Sequence, residues 1–477
     1  MAEPATRQVP AQAMAELVAI VGADSVIRTP LRLLTYESDA NGVFHSLPAA
    51  VVLPHDIDET RRVVEVLARH GVPFLPRGAG TGLAGGAVAL GNEVVVDTVR
   101  LTRLDAPDLD SAAIWAEVGV TNVSVSVAVA GDGMFYAPDP SSQAASTIGG
   151  NVANNSGGSH CLKYGVTTNH ILAVDAILPD GTALRMGGDA PDLPGYDLRG
   201  LFVGSEGTMG VATRALLRLT PTPAEVRTVL ATFDSVRAAS QTVSAVIAAG
   251  MLPAAMEVMD RMAIDGVEKG PYPVGFGPEV GATLLFEVDG LPVSVEAKAQ
   301  RIEAICKQMG VQAVRIAQSA EERALWWANR KTAFGAMGNL GRNFYVQDGV
   351  IPRTRLPDVI DRVGEIGAEF GLRIANVFHA GDGNLHPLIL FDAKKPGDTE
   401  KAMACGSAIL KVCVEAGGSI TGEHGVGVEK RADMAVMFGE ADLALQDSVR
   451  RVFDPRGIAN PGKVLPTPDD IRRASAG

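Results

Sequence analysis

The chain has 477 residues, enough at about 150 per domain for two or three domains with a large apolar core. Hydrophobic content of 47% and charged content of 20% are those of an ordinary globular protein. A net charge of −13 without any basic block argues against nucleic acid as a partner, and it means that a site for an acid needs a cation of its own. The stretch Met1 to Pro10 has no apolar signal core, and no apolar run approaches the ~20 residues of a membrane helix. Cys161, Cys306, Cys405 and Cys413 are scattered singly, so neither a disulfide framework nor a zinc ribbon is expected. The expectation is a cytoplasmic protein that reaches a membrane only through partners, if at all.

In chain order, residues 1–45 read as an N-terminal helical segment. Residues 49–53 read as a strand, and 58–70 as an amphipathic helix stopped by Gly71. Strands follow at 72–75, 94–96 and 114–118, then a helix at 122–130 ended by Gly131. Residues 151–158 form a polar glycine loop in this reading, 171–178 a strand turning at Pro179-Asp180-Gly181, and 211–219 a last strand before Pro221 and Pro223 mark a boundary. Beyond it, helices at 236–249, 293–309, 356–370 and 399–415 alternate with strands such as 282–287, the pattern of an α+β domain. The expected division is 46–222, 223–466 and a tail at 467–477.

Glycine loops dominate the first half. Arg77-Gly78-Ala79-Gly80-Thr81-Gly82-Leu83 follows a strand and offers consecutive N–H groups without Cβ obstruction, which suits a pyrophosphate. Gly80, Gly82 and Gly85 spell GxGxxG, but Gly85, Gly86 and Gly91 interrupt the stretch where a Rossmann crossover needs its helix. A second loop runs from Pro138, Asp139 and Ser142 through Thr147, Gly149, Gly150 and Asn154 to Gly157 and Gly158. A third contains Glu206 and leads to Val211. Two such loops in one domain can hold both ends of an extended dinucleotide.

Residues 49–219, with these three loops in order, resemble the PCMH-type (vanillyl-alcohol oxidase) FAD-binding domain. The resemblance implies FAD held by the first two loops, Glu206 and Val211 near the adenine, and a flavin contact from Asn460-Pro461-Gly462-Lys463. The histidine that some relatives attach to flavin is missing from the first loop, so the FAD is expected to be non-covalent.

His379-Ala380-Gly381-Asp382-Gly383-Asn384-Leu385-His386 is the densest chemical signal. If Gly381 to Asn384 form the turn, Ala380 pairs with Leu385 and His379 faces His386, with Cβ atoms ~5 Å apart. Gly422-Glu423-His424-Gly425 adds a carboxylate and a further imidazole. Three of only eight histidines thus fall in two glycine-rich, acidic loops, and two His with one Glu make a zinc set that leaves a coordination position open. Arg330, in Trp326-Trp327-Ala328-Asn329-Arg330-Lys331, is either an exposed helical cation or a bidentate clamp for a carboxylate.

Residues 222–465 resemble the C-terminal domain of the FAD-linked oxidases, a family that includes D-lactate dehydrogenases, D-2-hydroxyglutarate dehydrogenases and glycolate oxidase FAD subunits. The resemblance implies a two-domain PCMH-type fold with a ferredoxin-like α+β substrate domain. It also implies zinc or a similar divalent ion on His379, His386 and Glu423, His424 as the base, and Arg330 on the substrate carboxylate. Asp382 and Asn384 then shape the turn. Members acting on D-2-hydroxyglutarate carry Thr, Lys and Asn where this chain has Phe334, Val346 and Leu388. Apolar walls penalise a second carboxylate, which favours glycolate or D-lactate, with the glycolate oxidase branch the nearer resemblance. D-2-hydroxyglutarate oxidation and a non-catalytic electron-transfer subunit are the alternatives. In glycolate oxidases of this type a second flavin subunit and an iron–sulfur subunit carry the electrons onward.

Overall fold

A computed structural model of the chain describes residues 9–91, 93–190 and 194–474, so most of the Met1–Pro10 stretch and the end of the tail lie outside it. The chain forms two compact units. The first comprises 1–157, 166–221 and 423–477, and the second 158–165 and 222–422. One segment of the first unit ends at Pro221. The segments 158–165 and 423–466 group differently from the sequence division, and the strand pairings given below show why for the second of them.

In the first unit, Ala50–Val52, Val94–Asp97 and Phe74–Arg77 pair in parallel, with Val26–Ile27 antiparallel on the outer edge. Ala50–Val52 and Val94–Asp97 are buried throughout, which is why residues 50–52 and 94–96 read as unbroken apolar runs. The helix Ile57–His70 is capped at Asp56, which accepts from Glu59 N–H, and stops where Gly71 takes φ +64°. Val63, Val64 and Leu67 on that helix meet Leu17 and Val21 of the helix Ala11–Val21 in one core. The helix Ile57–His70 connects Ala50–Val52 to Phe74–Arg77, whereas the glycine loop, and not a helix, joins Phe74–Arg77 to Val94–Asp97. A second, antiparallel sheet runs in the order Ala113–Glu117, Val211–Arg218, Ile171–Ile177, Ala183–Gly187. The chain end returns to the first sheet: Phe74 bridges to Ala459 in parallel, and Phe74 N–H donates to Ile458 O.

One expectation fails here. The first part of the stretch read as a polar loop is helical, Ile148–Asn154, because Thr147 caps it by accepting from Gly150 N–H and Asn155 ends it at φ +51°. Only the residues beyond Asn155 keep the irregular backbone expected from their glycines.

The second unit is built on one antiparallel sheet, in the order Ala313–Ile316, Glu225–Phe233, Ala282–Gly290, Ala255–Asp260, Arg373–His379, Asn384–Phe391, Asn343–Val346. Two helices lie close on one face. A Cβ on Gly367 of Leu356–Glu369 would meet Ile374, and one on Gly406 of Asp398–Glu415 would meet Tyr345 and Gln347. By the cross-strand pairs, Glu257, His379 and His386 point to the other face. The segment 158–165 joins this unit through His160, which bonds Glu287, and through Lys163 and Tyr164, which bond Asp289.

Candidate active site

In the first unit the three glycine loops pack on one another. A Cβ on Gly78 would collide with Thr147 Oγ1, so the first loop passes the second at glycine-only distance. Arg77 is buried. Its guanidinium donates to Ala87 O at 2.5 Å and Ser38 O at 2.8 Å, so this arginine ties the start of the loop to backbone outside it. Leu83 O accepts from Asn41 Nδ2 at 2.7 Å. Among the described residues, the N–H groups of Ala79, Gly80, Thr81 and Gly82 donate to no protein acceptor. In the second loop, Pro138 O accepts from Asn122 Nδ2 at 3.0 Å, and Ser142 O accepts from Ala145 and Ser146 N–H. Asp139 and Gly150 are part-exposed beside them, and Gly149 packs against Val118. Gly157 closes this part of the unit, and Gly158, at φ +147°, opens the segment that joins the second one.

The third loop is tied to the second. Gly204 and Glu206 N–H donate to Val152 O and Ala153 O at 2.8 Å each. Val211 is buried at the start of its strand. The Glu206 carboxylate is buried and accepts from Val426 N–H at 2.7 Å and Gly427 N–H at 2.8 Å. Burial raises its pKa to about 7 against those bonds. It therefore clasps the backbone that follows His424. Asn154 Nδ2 donates to His424 O at 2.7 Å, so the helix of the second loop holds the same segment. Asn460, at φ +38°, donates to Gly86 O at 3.0 Å and Glu206 O at 2.7 Å.

Lys463 is fully buried, and among the described residues its Nζ has no hydrogen-bond partner. Burial lowers its pKa to about 8 despite the charges of Glu93 and Glu206. A buried ammonium without an acceptor is costly in a ligand-free protein. Lys463 Nζ and the N–H groups of residues 79–82 are donors without a protein acceptor among the described residues, the polarity that a dinucleotide's phosphates require.

In the second unit the hairpin register differs from the one expected. His379 pairs with Asn384 and Val377 with His386, so Ala380–Gly383 is the turn. Ala380 N–H donates instead to Met256 O on the neighbouring strand at 2.8 Å, and Gly383 takes φ +83°. His379 and His386 are therefore diagonal neighbours on one face. Their rings still meet edge to face, centroids 5.1 Å apart.

Each imidazole is held by its Nδ1. That of His379 lies 2.7 Å from Glu257 Oε1, and that of His386 lies 3.3 Å from Gln347 O and 3.8 Å from Asp348 Oδ1. Nδ1–H donation puts both lone pairs on Nε2, the tautomer a metal ligand needs. Asp348 is fully buried and accepts from Thr421 Oγ1 at 2.6 Å and Gly422 N–H at 3.0 Å. It thereby anchors the residue before Glu423. Glu423 and His424 fall in the first unit, with His424 Nε2 3.9 Å from Glu423 Oε1.

Arg330 is buried near the end of the helix Ala320–Lys331, whereas Lys331 is exposed. Its guanidinium is ion-paired with Glu257. This removes the reading of an exposed cationic pair. Burial works to raise the pKa of Glu257, but Arg330 and His379 outweigh it and hold the carboxyl below its ordinary range. Phe334 packs against His386, with ring centroids 5.7 Å apart, and Val346 pairs across the sheet with Leu388 on the His386 face.

Residues 222–464 match the family described as FAD linked oxidases, C-terminal domain, and residues 48–187 match an FAD binding domain. The chain belongs to the FAD-linked oxidases. It is 43% identical to the glycolate oxidase subunit GlcD of Escherichia coli K12, over 93% of this chain and 88% of that protein. Identity to the Bacillus subtilis protein of the same name is 36%, covering 94% and 96%. Identity to a D-lactate dehydrogenase of Archaeoglobus fulgidus is 31%, covering 87% and 91%. Among solved structures, p-cresol methylhydroxylase superposes with a TM-score of 0.81 at 17% identity, covering 95% of this chain and 96% of that one. A 4-ethylphenol oxidase from Gulosibacter chungangensis superposes at 0.78 with 17% identity, covering 96% and 97%. At that identity the likeness establishes the fold, a two-domain PCMH-type FAD-binding architecture.

The sequence reading of this FAD-linked oxidase missed Glu257 and gave Asp348 no role. Glu257 lies in Ala-Met-Glu-Val-Met-Asp, a strand buried along its whole length. A carboxylate at a core position without a charged neighbour in sequence was the available signal, since burial of that kind demands a partner from elsewhere. Glu287 carries the same signal. It gathers His160, Arg323 and Trp327 Nε1, and the first two hold its pKa at about 2 although burial opposes them.

Proposed function

We propose that this FAD-linked oxidase oxidises a short D-2-hydroxy acid, glycolate or D-lactate, to the corresponding 2-oxo acid. The observation that carries the reading is the buried cluster of His379, His386 and Arg330 on one sheet face beside apolar Phe334, Val346 and Leu388. The names of the relatives support the same substrate class.

Arg330 takes the substrate carboxylate in a charge-assisted, bidentate pair. His424 accepts the hydroxyl proton. The walls formed by Phe334, Val346 and Leu388 leave a distal carboxylate without a partner and exclude water from the α-carbon. Non-covalent FAD, lying on 77–83, 138–158, Glu206, Val211 and Asn460, would supply the two-electron hydride acceptor. His379 and His386 fit a divalent ion such as zinc because both Nδ1 atoms are engaged, and Glu423, bonded directly to the anchored Gly422, would complete the set. The ion would supply Lewis-acid polarisation of the substrate hydroxyl.

The four cysteines are free and scattered, so this chain lacks the clustered thiolates of an iron–sulfur centre. Electrons then leave through partners, a second flavin subunit and an iron–sulfur subunit, at the cytoplasmic side of a membrane. No helix among the described residues is long and apolar enough to cross one. The test is anaerobic addition of glycolate or D-lactate to the purified yellow protein. Bleaching of the flavin absorbance is expected; an oxidised spectrum with both acids rejects the assignment.

A further inference from the structure

Glu257 is fully buried in the middle of the second unit's sheet, directly across the strand pair from His379. One of its oxygens engages His379 Nδ1 at 2.7 Å and the other the Arg330 guanidinium. We infer that Glu257 is a positioning residue that sets the tautomer of His379 and the direction of Arg330 with a single carboxylate. The inference rests on the functional reading above and deepens it, because it joins the group proposed to hold the metal to the group proposed to hold the substrate.

The chemistry argues for a functional role. A buried charged triad is a poor way to stabilise a sheet, since apolar residues of similar volume in its place are often neutral or better. An isolated buried Arg330 or an unfixed His379 would each be worse, so the carboxylate is what makes both tolerable at this depth. The His379 oxygen accepts one N–H and thereby sends the lone pair to Nε2. The Arg330 oxygen takes up part of a five-donor fork and leaves the rest of the fork for a carboxylate ligand.

The two oxygens can be separated by substitution. Glu257→Gln keeps an acceptor for His379 but offers Arg330 an amide donor, so only the arginine loses its anchor. Glu257→Ala removes both partners. Glu257→Asp retains the charge on a shorter stem.

The experiment titrates Zn2+ into metal-stripped, FAD-loaded protein by calorimetry and, in parallel, measures kcat and KM with glycolate and D-lactate. Thermal melting and flavin content verify that each variant is folded. In Glu257→Ala, Zn2+ affinity is expected to fall at least about tenfold. In Glu257→Gln it is expected to stay within about threefold, while KM rises at least about tenfold and kcat falls less than threefold. Glu257→Asp is expected to recover part of both losses. Zn2+ affinity within threefold of wild type in Glu257→Ala, or an unchanged KM in Glu257→Gln, overturns the inference. If Glu257→Ala does not fold, Glu257→Asp takes its place in the Zn2+ arm, with a loss expected there and unchanged affinity overturning the inference. Wild-type protein that turns over neither acid sinks the proposed substrate, and the Zn2+ arm still decides the place of Glu257.

Discussion

Replacing Lys463 with methionine is expected to stabilise the FAD-free protein while weakening its hold on FAD. The side chain is fully buried, and burial lowers its pKa from 10.5 to about 8. At about 1.36 kcal/mol per unit, that shift puts the cost of the charged form near 3 kcal/mol. Methionine keeps the length and removes the charge. At roughly 2–4 °C per kcal/mol, the FAD-free variant melts several degrees above wild type.

The pH dependence follows from the direction of the shift. Below about pH 8 the lysine is protonated in both folded and unfolded chains, so the cost is fully present. Between pH 8 and 10.5 only the unfolded chain holds the proton, wild-type stability rises relative to the variant, and the gap closes. FAD narrows the difference, because a charge-assisted hydrogen bond to the ligand contributes about 1.5–3 kcal/mol to wild type alone. The variant is expected to bind FAD roughly 10- to 100-fold more weakly. Melting curves with and without FAD at pH 7 and pH 10, with a flavin-fluorescence titration, measure all three quantities. A variant that melts below wild type without FAD, or binds FAD equally well, refutes the reasoning.

Glycolate or D-lactate is expected to exceed D-2-hydroxyglutarate in kcat/KM by at least about tenfold, which needs only ~1.4 kcal/mol. Phe334→Thr with Val346→Lys is expected to shift that ratio toward the dicarboxylate, and a wild-type preference for the dicarboxylate would defeat the size argument. Chelation or His386→Ala is expected to abolish flavin reduction with FAD still bound, because FAD rests on loops of the first unit; full activity of metal-free protein counts against a metal. Gly78→Ala drives a Cβ into Thr147 and is expected to lower FAD occupancy in the purified protein, as read from the ratio of flavin to protein absorbance. Acid precipitation is expected to leave the flavin in the supernatant, and a yellow pellet would mean a covalent bond.

The sequence made the first unit legible wherever one local rule governed. Asp56 and Gly71 bracket a helix as capping chemistry dictates, and the buried valines at 51–52 and 94–96 lie in strands. The three loops were visible because glycine is needed where backbones touch, as Gly78 shows against Thr147. Rules failed where two local signals competed. Thr147 is both part of a glycine loop and a helix cap, and the cap prevailed. In the hairpin, Gly-Asp-Gly-Asn announced a turn, but the register was set by Ala380 bonding Met256 on a strand about 120 residues earlier. Local spacing holds no information about that bond. The same limit hid Glu257, whose partners His379 and Arg330 are distant in sequence.

The return of the last 55 residues to the first unit has a consequence for biogenesis. Residues 222–422 form a nearly continuous block that can collapse as soon as it leaves the ribosome. The sheet around Phe74 cannot close until Ile458 and Ala459 arrive almost 400 residues later, and Asn460 and Lys463 come later still. The domain begun first is therefore completed last, and its loops stand open through most of translation. Loading of FAD becomes a post-translational event, and a chain cut short between residues 422 and 458 holds every residue of the second unit while lacking the segment that pairs with Phe74.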